Sequence, residues 1–334
     1  MLPSFRLARL VVVGCLALIP MALAGQGGRP GGAPAAAPPP TPLAADAPFT
    51  VAVATAVVEA APVYMAKEGP FGPKMQFING GVRTLTNNGA HAAGNATTQM
   101  LVVLRDNPNV RLLFTLVEGL YRIVGKRSAG INTLADLKGK RVVVPRNTSA
   151  NYHLVAMLRS AGLQESDVTI VSVGATSMAA ALAKGEADAI SMWEPESQNA
   201  VEALGKDAVI FQNNKIYREF YSMYSTTDVL NDPRRRAELV EFVRALITHT
   251  NELKKDPKPF FPLISRITKH PEDQIARGWE HHAFPLNVPN DMLDIITEEE
   301  KWVAANQKRT PRTRAELETF IDTSIIKEAQ TAKR

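Results

Sequence analysis

The chain has 334 residues, 38 basic and 33 acidic side chains, a net charge of +5 spread along its length, and one cysteine. At roughly 150 residues per domain this is about two folded units, and 45% apolar types can fill two cores without the long apolar blocks of a polytopic membrane protein. The lone Cys15 excludes an internal disulfide and a cysteine-rich metal site, and the only basic run, Arg234-Arg235-Arg236, is too short for the stripe a nucleic-acid binder presents.

Residues 1–24 read as an export signal. Arg6 and Arg9 precede an apolar run from Leu10 to Leu23 that ends in Ala22-Leu23-Ala24, a small-x-small cleavage site, and the run is shorter than the ~20 residues a bilayer span needs. This predicts a periplasmic protein. Val12-Val13-Gly14-Cys15 offers a competing reading as a lipobox that would make Cys15 a lipid-bearing N terminus, but the apolar stretch before it is short and continues beyond it. Residues 25–48 are almost entirely Gly, Ala and Pro and read as an extended linker.

From Phe49 a pattern occurs twice. Its first copy is a strand at 49–54, a helix from Ala60 to Glu68, a strand at Met75–Ile78, a short helix at 82–88 and a strand at Ala90–Ala93 that runs into Gly94-Asn95-Ala96-Thr97. The second is a strand at Arg141–Val144, a helix capped by Thr148-Ser149 and stopped by Gly162, a strand at Val168–Val173, a helix capped by Thr176 and ending at Gly185, and a strand at Ala187–Met192 that runs into Trp193-Glu194-Pro195. Two β-α-β-α-β units imply an α/β protein of two parallel-sheet lobes. The β-rich passages Val110–Lys126 and Ile216–Thr227 predict two crossings, hence a two-strand hinge. The boundaries are 49–118 for the first part of lobe 1, 119–217 for lobe 2 and 218–334 for the return to lobe 1 with C-terminal helices. Asp232-Pro233 reads as a helix cap and first helical position, and further helices fit Glu272–Glu280, Asp291–Asn306 and Arg314–Glu328.

In parallel α/β sheets ligands sit beyond the carboxyl ends of strands, where helix N-termini present free N–H groups. That rule selects Thr55 to Glu59 and Asn95 to Thr98 in lobe 1, and Asn147 to Asn151, Ala175-Thr176 and Trp193-Glu194 in lobe 2. The candidate ligand-binding side chains are Thr55, Glu59, Asn95, Thr97, Asn147, Thr148, Ser149, Tyr152, Thr176, Trp193 and Glu194. Polar residues at helix starts also serve simply as caps, Trp193 also reads as a core aromatic, and Tyr152 as part of a packed helix face. Other apparent motifs carry nothing. Gly89 to Gly94 has phosphate-loop spacing but is followed by Asn95-Ala96, the adjacent His281-His282 pair lacks the i, i+4 spacing of metal ligands, and no nucleophile elbow or paired-carboxylate signature is present.

Ala61-Pro62-Val63-Tyr64-Met65-Ala66-Lys67, Leu134 to Lys140, Asn147-Thr148-Ser149-Ala150, Ala183 to Ala189 and Trp193-Glu194-Pro195 resemble the substrate-binding proteins of ABC importers, in the branch that takes aliphatic sulfonates, taurine, nitrate and thiamine precursors. The resemblance implies a type II periplasmic binding fold that closes on a small, sulfonate-like or carboxylate-like solute and delivers it to a membrane permease with its ATPase. It implies a monomer with no catalytic residue, metal or cofactor. The third strand of lobe 1 departs from the family's pattern at Gly89-Ala90-His91. Alternatives are a ligand-sensing module for a membrane signalling partner, and a thiamine-pyrimidine biosynthesis enzyme, whose cysteine-rich metal motif this sequence lacks.

Overall fold

The computed structural model describes residues 43–331 except 45, 88 and 174–176, so the expected export signal, Cys15, most of the expected linker and Thr176 lie outside the described residues. In chain order the first lobe is built from β1 (Phe49–Val53), α1 (Ala61–Glu68), β2 (Met75–Asn79), β3 (Ala92–Ala96), α2 (Thr97–Val103) and β4 (Val110–Gly119). The chain then crosses to β5 (Arg122–Lys126), β6 (Arg141–Val143), α3 (Ser149–Ser160), β7 (Thr169–Val171), α4 (Met178–Ala183), β8 (Ala189–Met192), α5 (Glu196–Leu204) and β9 (Ala208–Phe211). It returns through β10 (Glu219–Thr226) to α6 (Thr227–Asn231), α7 (Pro233–Lys255), α8 (Phe261–Thr268), α9 (Glu272–Gly278), β11 (His282–Ala283), α10 (Met292–Asn306), α11 (Arg314–Glu318) and α12 (Ser324–Gln330).

The two sheets repeat one plan. Sheet one has the order β11-β4-β10-β3-β1-β2, and sheet two β7-β6-β8-β5-β9. In each, the first strand of the repeat sits between its two parallel partners, β1 between β2 and β3, and β6 between β7 and β8. In each, a strand from a crossing passage then pairs antiparallel with the third, β10 with β3 and β5 with β8. The lobes are therefore α/β with parallel cores, completed by antiparallel crossing strands. β4 and β10 are antiparallel neighbours in sheet one, while β5 and β9, which adjoin them in the chain, are antiparallel neighbours in sheet two. The chain thus passes between lobes twice, side by side.

Local chemistry accounts for the elements. β1 and β10 are buried along their whole length, as strands covered on both faces must be. Asp232 accepts from the N–H groups of Arg234 and Arg235 (both 2.9 Å) and Pro233 takes the first position of α7. Gly162, just past α3, has φ +73°, a left-handed conformation that glycine adopts without strain. α7 lies over sheet one, where Phe242 packs its ring on Phe49 and Phe71 (centroids 5.5 and 5.8 Å).

Three local expectations change. The segment 82–88 forms a 3-10 helix, Val82–Asn87, and β3 runs through Gly94-Asn95-Ala96 before entering α2, which the β-branched residues of Thr97–Val103 concealed. α8 was not anticipated. The helix expected over Arg314–Glu328 breaks into α11 and α12, because the backbone between them bonds to the free edge of β4: Leu112 N–H donates to Phe320 O (2.8 Å) and Asp322 N–H to Leu112 O (2.9 Å).

Replacing Phe242 by Ala removes a fully buried ring and should lower the unfolding free energy by about 3–5 kcal/mol in urea melts. Replacing the exposed Ile210 of β9 by Ala should change it by less than about 0.5 kcal/mol.

Candidate functional site

Contacts at several points join the carboxyl-end loops of the two lobes. Gln99, on α2, donates from Nε2 to the Asn147 carbonyl before α3 (2.9 Å). Arg277, on α9, pairs with Glu202 of α5. Tyr152 of α3 packs on Trp302 of α10 (centroids 5.4 Å).

Three buried acids influence one another's ionisation. Glu59 follows β1, Glu219 opens β10 and Glu299 lies on α10; they are 3%, 1% and 1% exposed. Burial, joined by the charges of Glu219 and Glu194, pushes the Glu59 carboxyl up to about 8. Burial likewise lifts Glu219 to about 7, against the lowering effect of the Tyr217, Ser149 and Tyr121 hydroxyls. Glu299 is lifted to about 8 by burial and by the charge of Glu219, with Thr97 lowering it. Tyr217 donates its hydroxyl to Glu219 Oε2, and the hydroxyls of Tyr121 and Ser149 lie 3.1 Å apart. Tyr221 crosses over Gly94, where a Cβ would come within 2.8 Å of the ring, so glycine is needed for this approach. Its hydroxyl pKa is raised by burial first, then by neighbours that include Glu59 and Glu219.

Two other buried acids are paired. Glu194 takes Arg122 (Nε to Oε1 2.8 Å) and the Gln198 N–H (3.2 Å), and Glu300 takes Arg309 and Arg312. Among the described residues, no Lys, Arg or His lies within ion-pair distance of Glu59, Glu219 or Glu299.

The structure sorts the residues expected at the site. Glu59, Thr97, Ser149 and Glu194 are enclosed with the acids, although Glu194 is committed to Arg122. Trp193 is half-buried beside Tyr121 (centroids 6.1 Å). Thr148 flanks α3 as expected, but its hydroxyl donates to the Pro145 carbonyl (2.7 Å) instead of capping the helix. Asn147 and Thr148 line a 410 Å³ cavity that includes Arg83, Arg105 and Arg146. Tyr152 lines a separate 770 Å³ cavity with Tyr217 and Arg218. Thr55 bonds to Asn79 Oδ1 through its N–H (3.1 Å), and Asn95 lies within β3, where it accepts from the Ala96 N–H (2.9 Å). Thr176 lies outside the described residues.

Several enclosed groups carried no sequence signal that a strand-end rule could find: Tyr121, Arg122, Glu219 and Glu299. Glu219 could have been noticed as the lone acid at the head of a strand otherwise fit for burial. Glu299 sits in the run Glu298-Glu299-Glu300, which reads as a solvated face.

Two lobes of this topology, joined by paired crossings over an enclosed polar site, define the periplasmic binding protein fold. The family profile described as NMT1/THI5 like matches residues 79–259, and the chain belongs to that family. A taurine-binding periplasmic protein of Escherichia coli is 34% identical over 80 residues, 24% of this chain and 24% of that protein. A Brucella abortus protein named as a binding protein is 35% identical over 66 residues, 20% of this chain and 21% of its own. The chain thus spans less than a quarter of the length of either. Among solved structures, the aliphatic sulphonate binding protein SsuA of E. coli superposes with a TM-score of 0.68 at 14% identity, covering 80% of this chain and 90% of that one. The desulfurization enzyme DSZB has a TM-score of 0.60 at 14% identity, covering 84% and 98%. Fold alone therefore does not separate binding from catalysis. No helix among the described residues is long and apolar enough to cross a membrane.

The raised acids fix a pH dependence. A carboxyl whose folded pKa exceeds its unfolded value stays neutral in the fold while the unfolded chain ionises, so its stability contribution is complete below about pH 4.5 and lost as pH rises towards 8. Buried His153 and His91, lowered by burial to about 3 and 4, weaken the fold on the other side, as pH falls below about 6.5. The melting temperature without solute should therefore fall between about pH 6.5 and 8, and Glu59→Gln should flatten that fall. A profile identical in wild type and variant would show that Glu59 does not titrate in this window.

Proposed function

We propose that this chain is the solute-binding component of an ABC importer, a periplasmic receptor whose two lobes close on a small organic solute and present it to a permease and its ATPase. The observation that carries this reading is the burial of polar side chains from both lobes, Glu59 and Thr97 with Ser149, together with contacts that join the lobes. A solute can reach such groups only if the lobes part and re-close, which is the cycle a receptor uses. Glu59 and Thr97 act from lobe 1, Ser149 and Trp193 from lobe 2, and Tyr121, Glu219 and Tyr221 from the crossing strands. The sulfonate- and taurine-binding relatives support a small polar solute. Exported, the chain meets its solute in the periplasm and needs no cofactor.

Catalysis is the second reading, and DSZB is the observation that favours it. Turnover of any bound compound by the purified protein would establish it.

A thermal-melt panel of sulfonates, nitrate, carboxylates and pyrimidines tests the receptor reading. At least one should raise the melting temperature as its concentration rises, through mass action; no response to any small solute would count against it. Trp193→Ala should weaken binding of the responding compound while leaving the fold intact, and unchanged affinity would assign Trp193 to packing alone.

A further inference from the structure

Resting on the receptor reading, we propose that the solute carries a protonated nitrogen, held by the carboxyl groups of Glu59 and Glu219 and the hydroxyl of Tyr221. Three of the other buried acids have partners: Glu194 has Arg122, Glu300 has Arg309 and Arg312, and Glu196 accepts from Asn199 Nδ2 (3.3 Å). Glu59 and Glu219 are equally buried and have no cation within reach among the described residues. A carboxylate removed from water without a partner is costly, and a protein that places arginines beside two buried acids leaves these others for something that arrives from outside.

The unsatisfied atoms converge. Glu59 Oε2, Glu219 Oε1 and the Tyr221 hydroxyl each lack a hydrogen-bond partner although all three residues are more than nine-tenths buried. Glu219 and Tyr221 stand two apart on β10, on one face of sheet one, and the turn Val58–Ala60 that carries Glu59 packs against β4, the neighbour of β10. Once ionised the carboxylates accept and cannot donate, so a partner that lets them ionise must bring N–H or O–H donors, and a positive charge offsets the pair of acids as a neutral donor cannot. A bare metal ion fits less well. Among the described residues no three acidic, His or Cys side chains stand close enough to share one. An alkylammonium, amidinium or guanidinium meets these conditions. The remainder of the solute is free to be anionic, which makes a zwitterion compatible with the sulfonate-like chemistry expected at the helix ends.

Matched probes separate the charges: taurine, ethanesulfonate and ethylammonium, with benzylammonium and benzylsulfonate as an aromatic pair. By calorimetry on the exported protein, an amine-bearing probe should bind at least tenfold more tightly than its partner without the amine. Ethanesulfonate binding as tightly as taurine, or benzylsulfonate as tightly as benzylammonium, would overturn the inference and leave the receptor reading standing. Silence of all five, with a response from the wider panel above, overturns the inference alone; silence of that panel too removes both. The variant Glu59→Gln with Glu219→Gln keeps the shape and removes the charge. It should melt cooperatively, with a melting temperature at about pH 8 no lower than wild type, yet lose tenfold or more in amine affinity; undiminished affinity would overturn the assignment.

Discussion

Glu59, Glu219 and Glu299 are buried and, among the described residues, have no cation to pair them, and a carboxylate in that position is stable only when protonated or when a donor arrives. The rest of the molecule can be understood from that constraint. Burial forces these carboxyls towards their neutral forms. A solute that supplies donors would let them ionise in place. The tyrosines serve this end. Tyr217 donates to Glu219, while Tyr121 and Ser149 bring hydroxyls close to it, so that acid is partly satisfied even before a solute enters.

The scaffold explains how acids from distant parts of the chain come together. Each sheet centres on the first strand of its repeat, so that the loops after the parallel strands emerge at one end. The crossing strands then run beside the third strand of each lobe and carry Tyr121, Glu219 and Tyr221 into the gap. α10 packs on α2 of lobe 1 and reaches Tyr152 of lobe 2 through Trp302, which brings Glu299 to Thr97. Every acid of the cluster thus depends on a different segment, and none is within helical reach of another.

That dispersion sets what could be read from the sequence. Local signals were legible where one short segment decides the outcome: the Val-rich β1, the Asp232-Pro233 start of α7, the left-handed Gly162 and Gly185. The doubled β-α-β-α-β pattern was legible because it repeats. The strand-end rule selected Glu59, Thr97 and Ser149, which the fold buries. It also selected Thr55 and Asn95, whose hydrogen bonds are satisfied locally, and Thr148, whose hydroxyl turns back to Pro145. Glu219 and Glu299 could not be found by any local rule. One opens a buried strand and the other stands in an acidic run, and only the packing of lobe on lobe reveals that both are enclosed. Helix α2 was hidden for a related reason: its β-branched residues favour a strand by themselves, and packing against α10 overrides that preference.

Infrared spectroscopy of the solute-free protein at about pH 6, where exposed carboxylates are ionised, tests this account most directly. Protonated carboxylic acids have a carbonyl band distinct from that of carboxylates. The account predicts that this band is present in the wild-type protein and is lost in a variant with Gln at positions 59, 219 and 299. Its absence from the wild-type spectrum would mean that the three acids are ionised and already matched, and the central claim would fail.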